Sequence, residues 1–179
     1  PAAQAISKAH PGMKLGGVVR ERCADILRGN PWISHLHIVP NKPSMHDLAA
    51  LSRALRANDY QAAMDMQGLF LSGLMTRLSG APVRMGWDRN RECNRIFLTH
   101  PIVPGRDSDQ RGDLHEVDAL YGFANILGID APRADFPSQS YLAADGAEQA
   151  AAWLSELPKP RIALNVGASR AYKRWPTAN

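Results

Sequence analysis

Apolar and polar positions along the chain switch repeatedly between helical spacing and simple alternation, and the switches predict a string of helices and strands. The Ala-rich segment Pro1–Ala9 reads as a helix closed by His10-Pro11-Gly12, and Lys14–Arg20, with Val18 and Val19, as a strand. Glu21–Arg28 reads as a short helix ended by Gly29. In Ile33–Val39 the alternation puts Ile33, His35, His37 and Val39 on one face and Leu36 and Ile38 on the other. Ser44–Asn58 is expected to be a helix, with Ser44 as N-cap and Asp47 three residues on as a capping-box variant. Tyr60–Met66 reads as a buried strand, Leu69–Ser79 as an apolar helix stopped by Gly80, and Pro82–Gly86 as a short strand. The apolar stripe of Met64–Leu78 is expected to be core. Arg89–Gly112 is irregular around an extended Ile102-Val103, and Asp113–Leu127 is a helix ended by Gly128. Pro-rich Ala131–Pro137 reads as a linker, Tyr141-Leu142 as a brief strand and Asp145–Leu157 as a helix. Arg161–Val166 is a strongly apolar, buried strand opening onto Gly167.

Strands alternating with helices predict an α/β protein with a parallel sheet and right-handed crossovers. The chain opens inside a helix, where a doubly wound domain opens on a central strand. It ends at Asn179, just after Lys173-Arg174-Trp175-Pro176, which reads as the entry to a helix with Pro176 at its first position. Both ends are therefore expected to be cuts in a longer sequence.

Composition narrows the classes. A length of 179 residues holds one good core, or one domain and the start of another. At 45% hydrophobic and 21% charged the balance is that of a globular protein. No apolar run approaches the ~20 residues of a membrane span. The longest candidate, Ala62–Leu78, is broken by Asp65, Gln67 and Arg77. Cys23 and Cys93 stand far apart with no partner motif, which argues against a disulfide framework or a zinc site and suits a reducing cytoplasm. The net charge of +4 fits an anionic partner, but with no basic patch interleaved with aromatics it does not imply nucleic acid.

Candidate chemistry concentrates at Asn165–Pro176. There a buried strand runs into Gly167-Ala168-Ser169, whose small residues let a ligand approach the backbone. Free N–H groups and the Ser169 hydroxyl can hold phosphate oxygens, and Lys173 supplies a compact positive charge four residues on. Ligands of open α/β sheets bind at such carboxyl ends of strands. The competing reading is a plain strand-to-helix turn with a solvated lysine. The loop matches neither GxxxxGKS nor GxGxxG.

Further candidates have equally ordinary alternatives. Gln67-Gly68, with Ser72 on the next helix, lies just past a strand's carboxyl end: a binding turn, or a helix start packed closely through Gly. Arg84, Arg89, Arg91 and Arg95 form either an anion-binding surface or a solvated rim. His115 opens a helix, where a structural N-terminal role competes with substrate contact. Asp107-Ser108-Asp109 is a D-x-D in a stretch without apolar anchors, read as a solvated loop. His35 and His37 share a face without a third ligand, as ordinary strand histidines.

Several of these segments, in this order, resemble glycosyltransferase family 9, the ADP-heptose:lipopolysaccharide heptosyltransferases and their relatives. Asn165-Val-Gly-Ala-Ser-Arg-Ala-Tyr-Lys-Arg-Trp-Pro176 is similar to the family's NPGAS…KRWP segment, with Val166 in place of the usual Pro. Asp65-Met-Gln-Gly-Leu69 followed by Ser72 resembles its D-x-Q-G-L…S junction, and Arg84-Met-Gly86 its R-x-G strand. His115-Glu-Val-Asp118 with Leu127-Gly128 resembles its H-x-x-D…L-G helix. Asn30-Pro31 and the opening Pro1-Ala2-Ala3 fit as well.

The resemblance implies a GT-B fold, two Rossmann-like domains facing across a cleft. Residues 1–131 would be most of the acceptor-side N-terminal domain, without its first strand, and 132–179 a linker and the beginning of the nucleotide-sugar-binding domain. Ser169 and Lys173, with the backbone of Gly167 and Ala168, would bind the donor's phosphates. Gln67, Gly68, Ser72, Arg84 and His115 would be acceptor-side residues. The implied activity is inverting transfer of heptose from ADP-heptose to an anionic lipopolysaccharide inner-core acceptor, without a metal or other cofactor. It would take place in the cytoplasm, with peripheral contact at the inner membrane. The family's general-base Asp and a second donor-binding segment would lie outside this sequence, so the 179 residues alone are expected to be inactive. The alternatives are a sugar-nucleotide epimerase on the same fold and a non-catalytic nucleotide-sugar-binding module.

Overall fold

A computed structural model describes residues 1–87, 91–102, 116–136 and 144–162. The chain forms two compact units, residues 1–142 and 143–179. The first contains α1 (Ala2–Ala9), β1 (Gly16–Arg20), β2 (His35–Val39), α2 (Met45–Ala57), β3 (Ala62–Asp65), α3 (Phe70–Leu78), β4 (Val83–Trp87), β5 (His100–Ile102) and α4 (Glu116–Ile126). The second contains α5 (Ala144–Ser155).

Among the described residues all strand pairs are parallel, as α/β alternation requires. β1 pairs with β2, Gly16 opposite His35 and Arg20 opposite Val39. β3 pairs with β4, Asp65 opposite Gly86, and β4 with β5, Trp87 opposite Ile102. The carboxyl ends of β3 and β4 therefore lie side by side.

Two apolar clusters hold the first unit. In one, Ala5 and Ile6 of α1 pack on Tyr121 and Ala124 of α4 together with Ile129 and Phe136. In the other, Val39 meets Leu51 and Leu55 of α2, with Tyr60 and Met75 at its border. Leu48, Leu51 and Leu55 recur at three- and four-residue intervals, which gives α2 one buried face. The expected capping box starts that helix: the Asp47 N–H donates to Ser44 Oγ (3.2 Å) and the Ser44 N–H to Asp47 Oδ2 (2.8 Å). Hydrogen bonds from the Ser44 side chain and backbone hold the Asp47 carboxyl below its ordinary pKa.

The structure departs from the sequence expectations in five places. The buried strand expected over Tyr60–Met66 is Ala62–Asp65, and of these only Asp65 is buried. The helix expected over Glu21–Arg28 is one 3-10 turn, Glu21–Cys23, followed by hydrogen-bonded turns. Only Ala24 of that segment is buried and Ile26 stays 65% exposed, so there is too little burial to offset the ordering of two helical turns. Of Ala131–Pro137, expected as a linker, the described residues 131–136 are tied to the first unit at both ends: Phe136 is buried in the first cluster, and Tyr121 Oη donates to the Ala131 carbonyl at 2.9 Å. The Met64–Leu78 stripe is not all core, because Phe70 is 45% exposed. Of the strand expected over Arg161–Val166, only Arg161 and Ile162 are described; both are exposed and outside any strand. Cys23 and Cys93 are free and exposed. Among the described residues no helix is long and apolar enough to cross a membrane.

Candidate functional site

Asp65 ends β3 and is 2% exposed. Its Oδ1 accepts the N–H of Gln67 at 3.1 Å and of Gly68 at 2.9 Å. Gly68 has φ +69°, a left-handed conformation that costs a residue with a side chain. The chain then enters α3. The Leu69 N–H donates to Ser72 Oγ (3.1 Å), whose hydroxyl donates back to the Leu69 carbonyl (3.0 Å). The Phe70 N–H donates to Glu92 Oε2 at 3.2 Å.

Four successive amides, Gln67 to Phe70, are thus satisfied by three side chains of the same chain. A helix start with vacant N–H groups would attract an anion; here Asp65, Ser72 and Glu92 already take the four amides that lead into α3. What the turn presents outward is the exposed Gln67 side chain, which makes no hydrogen bond with a described residue.

Glu92 arrives from the 3-10 segment Arg91–Phe97, in which Glu92 and Cys93 have left-handed backbones (φ 49° and 57°). Asn94, fully buried, ties that segment to β4 by donating from Nδ2 to the Trp87 carbonyl at 3.1 Å. Phe97 meets Phe70 edge-on, ring centres 5.2 Å apart.

Arg84 turns its guanidinium to the backbone. Nε donates to the Phe97 carbonyl and Nη1 to the Ala81 carbonyl, both at 2.8 Å. Two of the three guanidinium nitrogens therefore strap β4 to its neighbouring segments. On β2, His37 Nε2 lies 2.9 Å from Tyr60 Oη, and burial followed by the charge of His35 lowers its pKa. Among the described residues no three His, Cys, Asp or Glu side chains gather as a metal site.

The structure thus gathers Gln67, Gly68 and Ser72 into one turn and sets Arg84 on the adjacent strand. His115, Gly167, Ala168, Ser169 and Lys173 lie outside the described residues, as do Arg89, Asp107 and Asp109. As a site residue Asp65 enters the sequence reading only as the first residue of the D-x-Q-G-L likeness, and Glu92 not at all; the structure brings both to the turn. The Asp65–Gly68 spacing, a carboxylate just before a Gly turn, carried a legible signal. Glu92 carried none, since it reaches α3 only through the folded Arg91–Phe97 turn.

Residues 48–179 match the sequence profile of glycosyltransferase family 9 (heptosyltransferase). The chain belongs to this family. Lipopolysaccharide heptosyltransferase 1 of Campylobacter coli is 33% identical over 89 residues, 49% of this chain and 25% of that protein. A glycosyl transferase family 9 structure from Veillonella parvula superposes with a TM-score of 0.72 at 20% identity, over 97% of this chain and 50% of that one. The E. coli heptosyltransferase WaaC, solved with ADP-2-deoxy-2-fluoro heptose, gives 0.65 at 25% identity, over 98% of this chain and 56% of that one. The chain therefore spans about half the length of these solved relatives and a quarter of the curated one. Its α/β architecture of parallel strands is that of a Rossmann-like part of such family 9 glycosyltransferases.

Proposed function

We propose that the protein acts in inverting transfer of heptose from ADP-heptose to an anionic lipopolysaccharide inner-core acceptor, with the nucleotide sugar as substrate and no metal. One observation carries the reading: likeness over 98% of the chain, at 25% identity, to a heptosyltransferase solved with an ADP-heptose analogue. Family membership over residues 48–179 supports the transferase class.

In this reading a carboxylate takes the proton of the acceptor hydroxyl as it attacks the anomeric carbon. The nucleoside diphosphate leaves from the opposite side with growing negative charge. Gly167, Ala168 and Ser169 offer backbone and hydroxyl donors to that diphosphate, and Lys173 a cation. A lysine ~4 Å from a phosphate gains roughly 4 kcal/mol at an effective dielectric near 20, before desolvation. On the acceptor side the turn amides are occupied, so contact there falls to the Gln67 side chain. Arg84 and His115 are the further acceptor-side candidates. The setting is the cytoplasmic face of the inner membrane, where lipid-linked acceptor and soluble donor meet.

The test incubates protein expressed from the complete reading frame with ADP-heptose and heptose-free inner-core lipopolysaccharide. The expected product carries one added heptose whose anomeric configuration is opposite to the donor's, and EDTA leaves the rate unchanged. An altered nucleotide sugar without transfer would favour the epimerase. Donor binding without either product would favour a non-catalytic module.

A further inference from the structure

We propose that Asp65 is a positioning residue for the acceptor side of the site: its carboxylate fixes the Gln67–Gly68 turn and so aims the Gln67 side chain at the acceptor. This rests on the transferase reading above.

Three observations support it. Oδ1 alone takes both turn amides, so a single atom sets the direction in which the chain leaves β3. β4 runs close behind the side chain. A Cβ built on Gly86, its register partner, would stand 3.0 Å from Asp65 Cβ and 3.1 Å from its carbonyl oxygen. β4 therefore passes directly behind Asp65, with room at position 86 for no more than a glycine. Finally, Oδ2 is buried with no hydrogen-bond partner among the described residues. A buried acceptor without a partner is costly, and native folds tolerate such costs chiefly at sites of function. Gln67 is the exposed polar side chain on the turn and the part through which the positioning is felt.

The experiment compares Asp65→Ala, Asp65→Asn, Gln67→Ala and the Asp65→Ala/Gln67→Ala double variant in protein from the complete reading frame, by steady-state transfer kinetics. Asp65→Ala is expected to raise the acceptor KM about tenfold while kcat and the donor KM stay within about threefold. Asp65→Asn, whose amide oxygen can accept the same two N–H groups, is expected to restore the acceptor KM. The double variant is expected to match Gln67→Ala alone, because Asp65 acts through Gln67. An unchanged acceptor KM in Asp65→Ala, a failure of Asn to restore it, or additive effects in the double variant would overturn the proposal. If Asp65→Ala does not fold, Asp65→Val, which suits a strand end but cannot accept an N–H, replaces it under the same criteria. If the wild type transfers no heptose, it is the transferase reading that fails. Hydrogen exchange at the Gln67 and Gly68 amides then tests the turn by itself: faster exchange in the Ala variant shows that the carboxylate holds it, and unchanged protection overturns the proposal.

Discussion

His37 and Tyr60 are joined side chain to side chain, Nε2 to Oη at 2.9 Å, with their rings edge-on at 79°. The contact links β2 to the residue that leads into β3. It also depends on a third position, because the Tyr60 hydroxyl lies over Gly16 of β1. A Cβ built there would stand 2.0 Å from Oη and 2.5 Å from Cζ. Gly16→Ala is therefore expected to displace Tyr60 and cost about 1–3 kcal/mol, the range for overpacking. Adding Tyr60→Ala removes the clash, so the double variant should lose less than the two single losses combined. Urea denaturation of the four proteins measures this coupling.

The same pair predicts a pH dependence. Burial and the neighbouring His35 lower the His37 pKa in the fold from its ordinary 6.5. Below 6.5 the unfolded chain takes up the proton first, so unfolding gains free energy as the pH falls. This contribution to stability is complete above 6.5 and is lost as the pH drops through the lower, folded value. Stability at pH 7.5 should exceed that at pH 5.5 by more in the wild type than in His37→Gln, as read from urea midpoints. An equal difference in both proteins would remove His37 as the cause.

The legible part of this fold is the part where local pattern and burial agree. α2 was readable because Ser44 and Asp47 mark its start and Leu48, Leu51 and Leu55 supply its buried face. β4 was readable as a short apolar run between turn residues; β3 was readable in position, though only Asp65 of it is buried. Glu21–Arg28 has helical propensity but buries only Ala24, and whether a face finds a partner is a tertiary fact. The turn at Gln67, Gly68 and Ser72 could be placed because it follows a strand's carboxyl end. That its amides are already filled could not, because Glu92 reaches Phe70 across 22 residues through two left-handed residues that no local rule anticipates. Arg84 looked like an anion fork in sequence, and only the positions of the Phe97 and Ala81 carbonyls show what its nitrogens hold.

Arg84 accordingly gives a stability prediction. Lysine keeps the charge but cannot span two carbonyls in the plane of a guanidinium. Arg84→Lys should lose nearly as much stability as Arg84→Ala, about 1–3 kcal/mol for hydrogen bonds to a charged group at a partly buried site. A Lys variant as stable as wild type in thermal denaturation would show that charge, not the two-point strap, is what position 84 contributes.

Phe123 of α4 is fully buried and meets the Trp87 ring edge-on, with centres 5.1 Å apart. The contact anchors α4 against the end of β4, beside Asn94. Truncation to Ala removes the ring and leaves a cavity, at a cost of about 3–5 kcal/mol. Calorimetry should show a large fall in Tm. Because Trp87 loses its neighbour, its fluorescence should also change in the folded state, which a loss of stability elsewhere would not produce.

Lys173 carries the last prediction, which concerns the chemistry. Transfer leaves a diphosphate with more negative charge than the donor had, so a cation beside it lowers the barrier more than it tightens ground-state binding. Lys173→Ala, in protein from the complete reading frame, should lower heptose transfer at saturating donor at least about tenfold. Lys173→Arg keeps the charge but replaces a compact ammonium with a broad fork, and should fall between Ala and wild type. A larger effect on kcat than on the donor KM would place the positive charge at the leaving group. Unchanged turnover at saturating donor would detach Lys173 from the diphosphate, and with it the Gly167–Ser169 loop from the role of donor cradle.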